Sequence, residues 1–430
     1  MNISRRYVDD IFAIGVLVLS TGACQTLLID NSSSKAGLEG TPLLQVMWSC
    51  IYVLVAIRAA SQYRSIVDAI RANKPLAALV LLAVLSTVWS EDHGVTLRRS
   101  IALMATTLFG VDFAVRYSLR DQLRLLVIAL GSVVALSVML QVFFPGLIPT
   151  YDLAYPDAWV GVFGQKNGFS KIVVLTAIVI LASVRSSLGG MLAAICAVVA
   201  AFGLILAAQS MTSFVVFLVL LAVLIFAPTL RWSKGIRIAI QAFAGLSVVP
   251  FLLLVVRYRD AITNMLGRSS SLTGRVKIWT LAISCVAVKP LLGYGYNAFW
   301  NVSPESLRID AVMNWNVPHA HNAYLELALE LGLLGVALYA ATYLLGLYRA
   351  SEYMRVERGN SAKWPLAYLS FVLMYSFTES TVLAPNTIYW MLFVAAQCSV
   401  VMIEEEEEEP EAIEDEAGGG PIADPSITIA

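Results

Sequence analysis

Two of the chain's three histidines, His319 and His321, lie two residues apart in Pro318-His319-Ala320-His321-Asn322-Ala323-Tyr324-Leu325-Glu326, where a long polar stretch meets an apolar one. An imidazole titrates near pH 6.5 and is the natural general base at neutral pH. Zinc is the other use for paired histidines. However, i,i+2 spacing with no nearby Cys and no HExxH partner is poor ligand geometry, so no metal is expected. Further polar clusters interrupt the apolar chain: Gly164-Gln165-Lys166-Asn167, Gln209-Ser210-Met211-Thr212-Ser213, Thr273-Gly274-Arg275 and Thr378-Glu379-Ser380, with Arg98 and Arg99 as two more cations. Arg275 follows Ser271 to Gly274 at an expected helix start, where backbone N–H groups and a guanidinium fork together suit a phosphate.

Each residue also has an ordinary reading. Lys166 could snorkel to lipid headgroups, although Gln165 and Asn167 beside it favour ligand contact. Arg275 could meet a carboxylate or a lipid phosphate, and the histidines could be interfacial polar residues. Glu326 and Glu330 share a helix face by their i,i+4 spacing. They either orient a histidine, pair with Arg275 or serve as structural partners, and Glu379 is open to the same alternatives. Asp112 and Arg116, also i,i+4, read as a structural pair. Groups this polar are costly near hydrocarbon unless they line a shared cavity.

The elements that must carry these residues are membrane helices. With 58% hydrophobic and 14% charged residues and mean hydropathy of +0.75, the composition excludes an ordinary soluble domain. A hydrocarbon core about 30 Å thick takes about twenty apolar residues per helix, and about twelve such runs are present. They fall at 11–29, 43–60, 75–90, 100–117, 124–144, 168–185, 188–208, 213–229, 236–256, 323–348, 365–380 and 385–403. The expected fold is all-α and polytopic, with residues 1–403 as one transmembrane domain. The loop at 257–322 is long enough to hold short helices of its own, with an amphipathic pattern around Val276 to Val288.

Basic connectors follow the even-numbered runs: Arg58, Arg64, Arg71 and Lys74; Arg116, Arg120 and Arg124; Arg185; Arg231, Lys234 and Arg237; Arg349, Arg355, Arg358 and Lys363. Arg5 and Arg6 precede the first. The positive-inside rule puts these segments, and both termini, in the cytoplasm. The polar clusters then collect at the opposite membrane face, and Arg98 and Arg99 are exceptions to the charge rule there. The first run shows no cleavage pattern and reads as a retained span. Residues 404–430 open on the run Glu404 to Glu409 and are rich in Gly and Pro, so they are expected to form a disordered acidic cytoplasmic tail. Cys24, Cys50, Cys196, Cys285 and Cys398 follow no CxxC spacing, and no disulfide framework is expected.

Seven pieces in order resemble the O-antigen ligase and polysaccharide polymerase superfamily of bacterial inner-membrane proteins. They are Ser86-Thr87-Val88-Trp89-Ser90 with Leu97-Arg98-Arg99, Phe163 to Asn167, Gln209 to Ser213, Gly274-Arg275-Val276-Lys277-Ile278-Trp279, Pro290 to Trp300, His319 to Glu326 with Gly332 and Gly335, and Thr378 to Ser380. The GQKN, QSMTS and GYGYNAFW forms are most similar to the exopolysaccharide polymerases of the succinoglycan type.

The resemblance implies a fold related to the membrane glycosyltransferases of the C type. It also implies glycosyl transfer on the periplasmic face from an undecaprenyl-diphosphate-linked donor, with no cofactor, nucleotide sugar or metal. In that scheme His321, the histidine that precedes Asn322, is the base. Arg275 and Lys166, with Arg98 or Arg99, grip the diphosphate, and Glu379 completes the catalytic set. Gln165, Asn167, His319, Ser210, Thr212 and Asn322 contact substrate. The expected partners are the lipid-linked oligosaccharide donor, the glycan acceptor, membrane lipids, and a chain-length regulator and flippase of the same pathway; no nucleic acid is expected. The acceptor separates a polymerase, which extends a lipid-linked repeat unit, from a ligase, which glycosylates lipid A core. A transporter of lipid-linked sugars would instead call for internal repeats and midplane-broken helices. A non-catalytic assembly partner would have no use for a base beside a cation.

Overall fold

The structure, a computed structural model, describes residues 3–23, 42–147, 155–184, 187–233, 235 and 272–401. The ninth apolar run, the first part of the long loop and the acidic tail lie outside the described residues.

The described chain is helical, with no strand among these residues. In order the helices are α1 (Ile3–Ser20), α2 (Pro42–Ala60), α3 (Tyr63–Ala72), α4 (Lys74–Leu85), α5 (His93–Arg116), α6 (Leu119–Phe143), α7 (Lys166–Ser183), α8 (Leu188–Ala207) and α9 (Met211–Phe226). After the gap come α10 (Leu272–Val288), α11 (Phe299–Val302), α12 (Pro304–Met313), α13 (Ala323–Val356), α14 (Lys363–Ser376) and α15 (Ile388–Val401). The expectation of short helices in the long loop holds for its described part, in α10 to α12.

Among the described residues, six helices are long and apolar enough to cross a membrane, and seven if α3 and α4, bent 95° to one another, count as one broken span. Length and apolarity alone therefore do not reach about twelve. The physical reasons are visible: α14 has 14 residues, or about 21 Å at 1.5 Å per residue, while α5 carries Arg98, Arg99, Asp112 and Arg116.

The inner helices are α7, α13, α14 and α15. α7 has a continuous run of buried side chains from Phe169 to Val179 and is flanked by α6, α8, α9 and α14. At the end where α5 finishes and α6 begins, four arginines are paired with carboxylates. Arg116 bonds Asp112 at 2.9 Å, Arg58 lies against both Asp9 and Asp112, Arg124 meets Asp10 at 2.6 Å, and Arg6 meets Asp121 at 3.0 Å. Buried charges need such partners, so Asp112 and Arg116 are structural.

The opposite end depends on a break in α13. Gly332 has φ 64° and ψ −168°, a region of backbone space open essentially only to glycine. The helical ladder stops there, and the segment Pro290 to Gly295 fills the break. Tyr294 and Gly295 donate to the carbonyls of Leu329 and Glu330 at 2.8 and 3.0 Å, and Leu333 donates to that of Pro290 at 2.7 Å. A Cβ on Gly332 would lie on the Leu291 carbonyl.

The other side of this strap is held by the STVWS segment. Trp89 Nε1 donates to Leu292 O at 3.0 Å, Glu91 N to Tyr294 O at 3.1 Å, Tyr296 N to Ser86 Oγ at 3.0 Å, and Thr96 Oγ1 to Tyr296 O at 2.8 Å. A Cβ on Gly295 would collide with Ser90, so this glycine is set by close approach. Gly332→Ala combines the forbidden torsion with that overlap. We expect it to lose at least about 1–2 kcal/mol, read as a lower unfolding temperature and less monodisperse protein after extraction. A variant as stable as wild type would mean that the strap is not seated in the break.

Candidate active site

The histidine loop is pinned on both sides. Ala320 donates its N–H to Glu326 Oε2 at 2.8 Å and accepts from Trp279 Nε1 at 2.9 Å. Asn322 caps α13, its Oδ1 accepting from the N–H groups of Tyr324 and Leu325 at 3.0 and 3.1 Å. Between these anchors His321 takes φ 51°, a left-handed torsion that costs a non-glycine residue about 1–3 kcal/mol and persists only where its surroundings enforce it. The His321 N–H donates to His319 Nδ1 at 3.2 Å, and the two rings lie 4.0 Å apart between centroids. His319 Nδ1 thus accepts and carries no proton. His321 Nδ1 is buried without a hydrogen-bond partner.

Arg275 reaches the same place from α10. Its Nη1 donates to the Thr378 carbonyl at 3.1 Å and its Nη2 lies 3.6 Å from Glu379 Oε1. Asn322 Nδ2 reaches the neighbouring Phe377 carbonyl at 3.5 Å. The carboxylate that Arg275 pairs with is therefore Glu379, while Glu326 fastens the histidine loop.

A cavity of about 180 Å³ opens beside the loop, lined by Arg99, Asn297, Trp300, His319, Glu326, Glu330 and Ser380 among others. Two larger grooves, about 640 and 450 Å³, lie at the opposite end around Arg120. They have no imidazole or carboxylate–cation cluster comparable to this one.

Of the two arginines on α5, Arg99 lines the cavity, whereas Arg98 is exposed and does not. Lys166, the first residue of α7, is buried with its ammonium over the Tyr155 ring. Gln165 precedes it in extended conformation, exposed, without a side-chain cap. Asn167 Oδ1 accepts from Ser210 Oγ at 3.1 Å, Ser210 Oγ also reaches Ser213 Oγ at 3.2 Å, and Ser213 bonds Ser170 at 2.8 Å and Tyr375 at 2.9 Å. Ser213, buried, is thus the hub of this hydroxyl chain, and no contact draws Thr212 into it.

Sequence reasoning passed over Lys171, which is 9% exposed on α7 with its ammonium 4.4 Å from the Tyr389 ring centroid and 6.0 Å from that of Tyr375. The available signal was a lysine inside an apolar run, charged where hydrocarbon expects none.

Residues 169–340 match the O-antigen ligase family. The chain carries an O-antigen ligase domain. That makes it a glycosyltransferase-like membrane enzyme, a polymerase or a ligase. It is similar to the exopolysaccharide production protein ExoQ of Rhizobium meliloti, 22% identical over 364 residues that cover 79% of this chain and 80% of that protein. A protein of Rickettsia felis with the provisional name polysaccharide ligase is 29% identical over 111 residues, 24% of this chain and 26% of that protein. The O-antigen ligase domain contains Lys171, Ser210, Arg275, the strap, both site histidines and Gly332. Arg99, Lys166 and Glu379 reach the same end of the bundle from outside it.

Burial, the neighbouring His319 and the Arg275 cation push the His321 imidazole down to about 3. Burial likewise lowers His319, opposed by Glu379 and reinforced by Lys171 and Arg275. Both rings are neutral at pH 7. A histidine lowered by folding takes up a proton more readily unfolded, so its contribution falls as pH drops from about 6.5 toward 3. The unfolding temperature of wild type should therefore fall across that window more steeply than that of His321→Gln. Parallel pH profiles would mean that His321 is not desolvated.

Proposed function

We propose that this chain is an inner-membrane polysaccharide polymerase. In this reading it transfers a growing glycan from an undecaprenyl-diphosphate donor to a hydroxyl of a lipid-linked acceptor repeat unit on the periplasmic face, without a metal and with inversion. The observation that carries this is His321: an imidazole held neutral in a strained torsion, its Nδ1 buried and unpartnered, beside a guanidinium fixed by a carboxylate. Similarity to the exopolysaccharide production protein over most of both chains favours a polymerase. The O-antigen ligase match favours the second reading, transfer of lipid-linked glycan to lipid A core.

In the step proposed, the acceptor hydroxyl oxygen attacks the anomeric carbon as the bond to the diphosphate breaks. The proton passes to the His321 imidazole and the electron pair leaves with the diphosphate. Arg275 takes up that developing charge, and Glu379 holds the guanidinium in orientation. The incoming anion also offsets the cationic field that disfavours an imidazolium, so His321 becomes more basic when the donor is bound. Lys166 and Arg99 extend the cationic surface. His319 fixes the His321 backbone through its Nδ1, and Asn322 holds the loop to the helix. Gln165, Asn167, Ser210 and Thr212 lie toward the glycan. Both termini are cytoplasmic in this scheme, and a chain-length regulator and a flippase are the partners in the membrane.

Purified protein incubated with a lipid-linked repeat unit should produce a ladder; one-step transfer dependent on added core acceptor would establish the ligase instead. His321→Ala should lower the rate about 10²–10⁴-fold while the protein stays folded, and wild-type turnover would remove His321 as base. Arg275→Lys should recover only part of what Arg275→Ala loses, because a point charge does not replace a bidentate fork. Orientation is checked by labelling a cysteine at Leu307, an exposed position on α12. Reaction with a membrane-impermeant reagent from the cytoplasmic side alone would reverse the scheme.

A further inference from the structure

One carboxylate of the site, Glu379, serves more than one cation. Glu379 stands 3.6 Å from Arg275, and its field also reaches Lys171 and His319. Lys171 lies five residues into α7 from Lys166, about 7.5 Å deeper along the axis, and it is 9% exposed. Among the described residues its ammonium is matched with two tyrosine faces, Tyr389 at 4.4 Å and Tyr375 at 6.0 Å, and with no carboxylate at ion-pair distance. Tyr375 in turn links this lysine to the rest of the site: its carbonyl accepts the Glu379 N–H at 2.8 Å and its hydroxyl donates to Ser213 at 2.9 Å. An ammonium in hydrocarbon without a counterion is expensive, and a desolvated aromatic face returns on the order of 2 kcal/mol of what water would supply. A purely structural position in this buried run of α7 would be better filled by Leu or Met.

We propose that Lys171 is a second cation for the leaving group, acting with Arg275 on the diphosphate of a prenyl-linked donor. Glu379 holds Arg275 directly and reaches Lys171 only through its field, and it shares both cations with the anion when it arrives. The tyrosine faces keep the ammonium oriented without consuming its charge, and a lysine, a compact point charge on a flexible stem, can follow the diphosphate as the anomeric bond lengthens. This rests on the reading of the chain as a lipid-diphosphate-dependent glycosyltransferase.

The test uses the full chain in lipid nanodiscs, with farnesyl diphosphate and farnesyl monophosphate as probes. Wild type should bind the diphosphate more tightly than the monophosphate. Lys171→Met should weaken diphosphate binding about ten- to a hundred-fold, narrow the preference over monophosphate, and leave the unfolding temperature unchanged or higher, because an uncompensated buried charge has been removed. Lys171→Arg should restore part of the affinity. Diphosphate binding by Lys171→Met equal to wild type overturns the assignment. So does a loss of affinity accompanied by a lower unfolding temperature and no recovery in Lys171→Arg, which marks the lysine as structural. Failure of wild type to bind either probe overturns the parent reading as well.

Discussion

The interaction on which the rest depends is the exchange of backbone hydrogen bonds between the broken α13 and the strap from Pro290 to Gly295. A helix that stops within an apolar environment leaves carbonyl and amide groups that hydrocarbon cannot satisfy. Here the carbonyls of Leu329 and Glu330 are taken by Tyr294 and Gly295, and the Leu333 amide by Pro290. The STVWS segment secures the strap from the other side, so α4, α5, α10 and α13 are brought to one point. The histidine loop begins α13, Arg275 begins α10 and Arg99 lies in the first turns of α5, so their positions follow from that junction.

On this scaffold the electrostatics are unbalanced in one direction. Glu379 faces Arg275 directly and Lys171 through its field, the imidazoles are held neutral by burial and by these same cations, and the hydroxyl chain from Asn167 to Tyr375 adds only dipoles. The opposite end of the bundle differs in kind: Arg58, Arg116, Arg124 and Arg6 meet Asp9, Asp112, Asp10 and Asp121. Arginines closed off by carboxylates hold helices together; a lysine matched, among the described residues, only with aromatic faces keeps its charge available to an anion. The polymerase and ligase readings share this arrangement, since they differ in acceptor and not in the leaving group.

Much of this was legible before any coordinates. Apolar runs indicated helices because a membrane span needs a continuous apolar length, and polar clusters stood out because the background is so apolar. His319, His321, Arg275 and Glu379 converge as their positions at run boundaries suggested. The pairing of Arg275 with Glu379 in preference to Glu326 or Glu330 was not legible, since i,i+4 spacing gives a shared face but not a direction. Lys171 was hidden by its neighbours: one charge in a long apolar run leaves the run's hydropathy intact. Ser213 outranks Thr212 only because helix rotation aims it at Tyr375. The break at Gly332 had no local signal either, since a lone glycine in an apolar run is compatible with an unbroken helix.

The seated strap also bears on how the protein is made. During synthesis the segment from Pro290 to Gly295 leaves the ribosome before α13, whose open carbonyls are its partners. Until they arrive, its amides need water, which keeps the strap out of the lipid interior. The first half of α13 has the converse need and cannot settle in the bilayer as an independent span. The two therefore mature together, and the histidine loop at the start of α13 is fixed by their pairing. Imidazole loop and strap thus depend on one shared set of backbone hydrogen bonds, and neither half is satisfied in the membrane without the other.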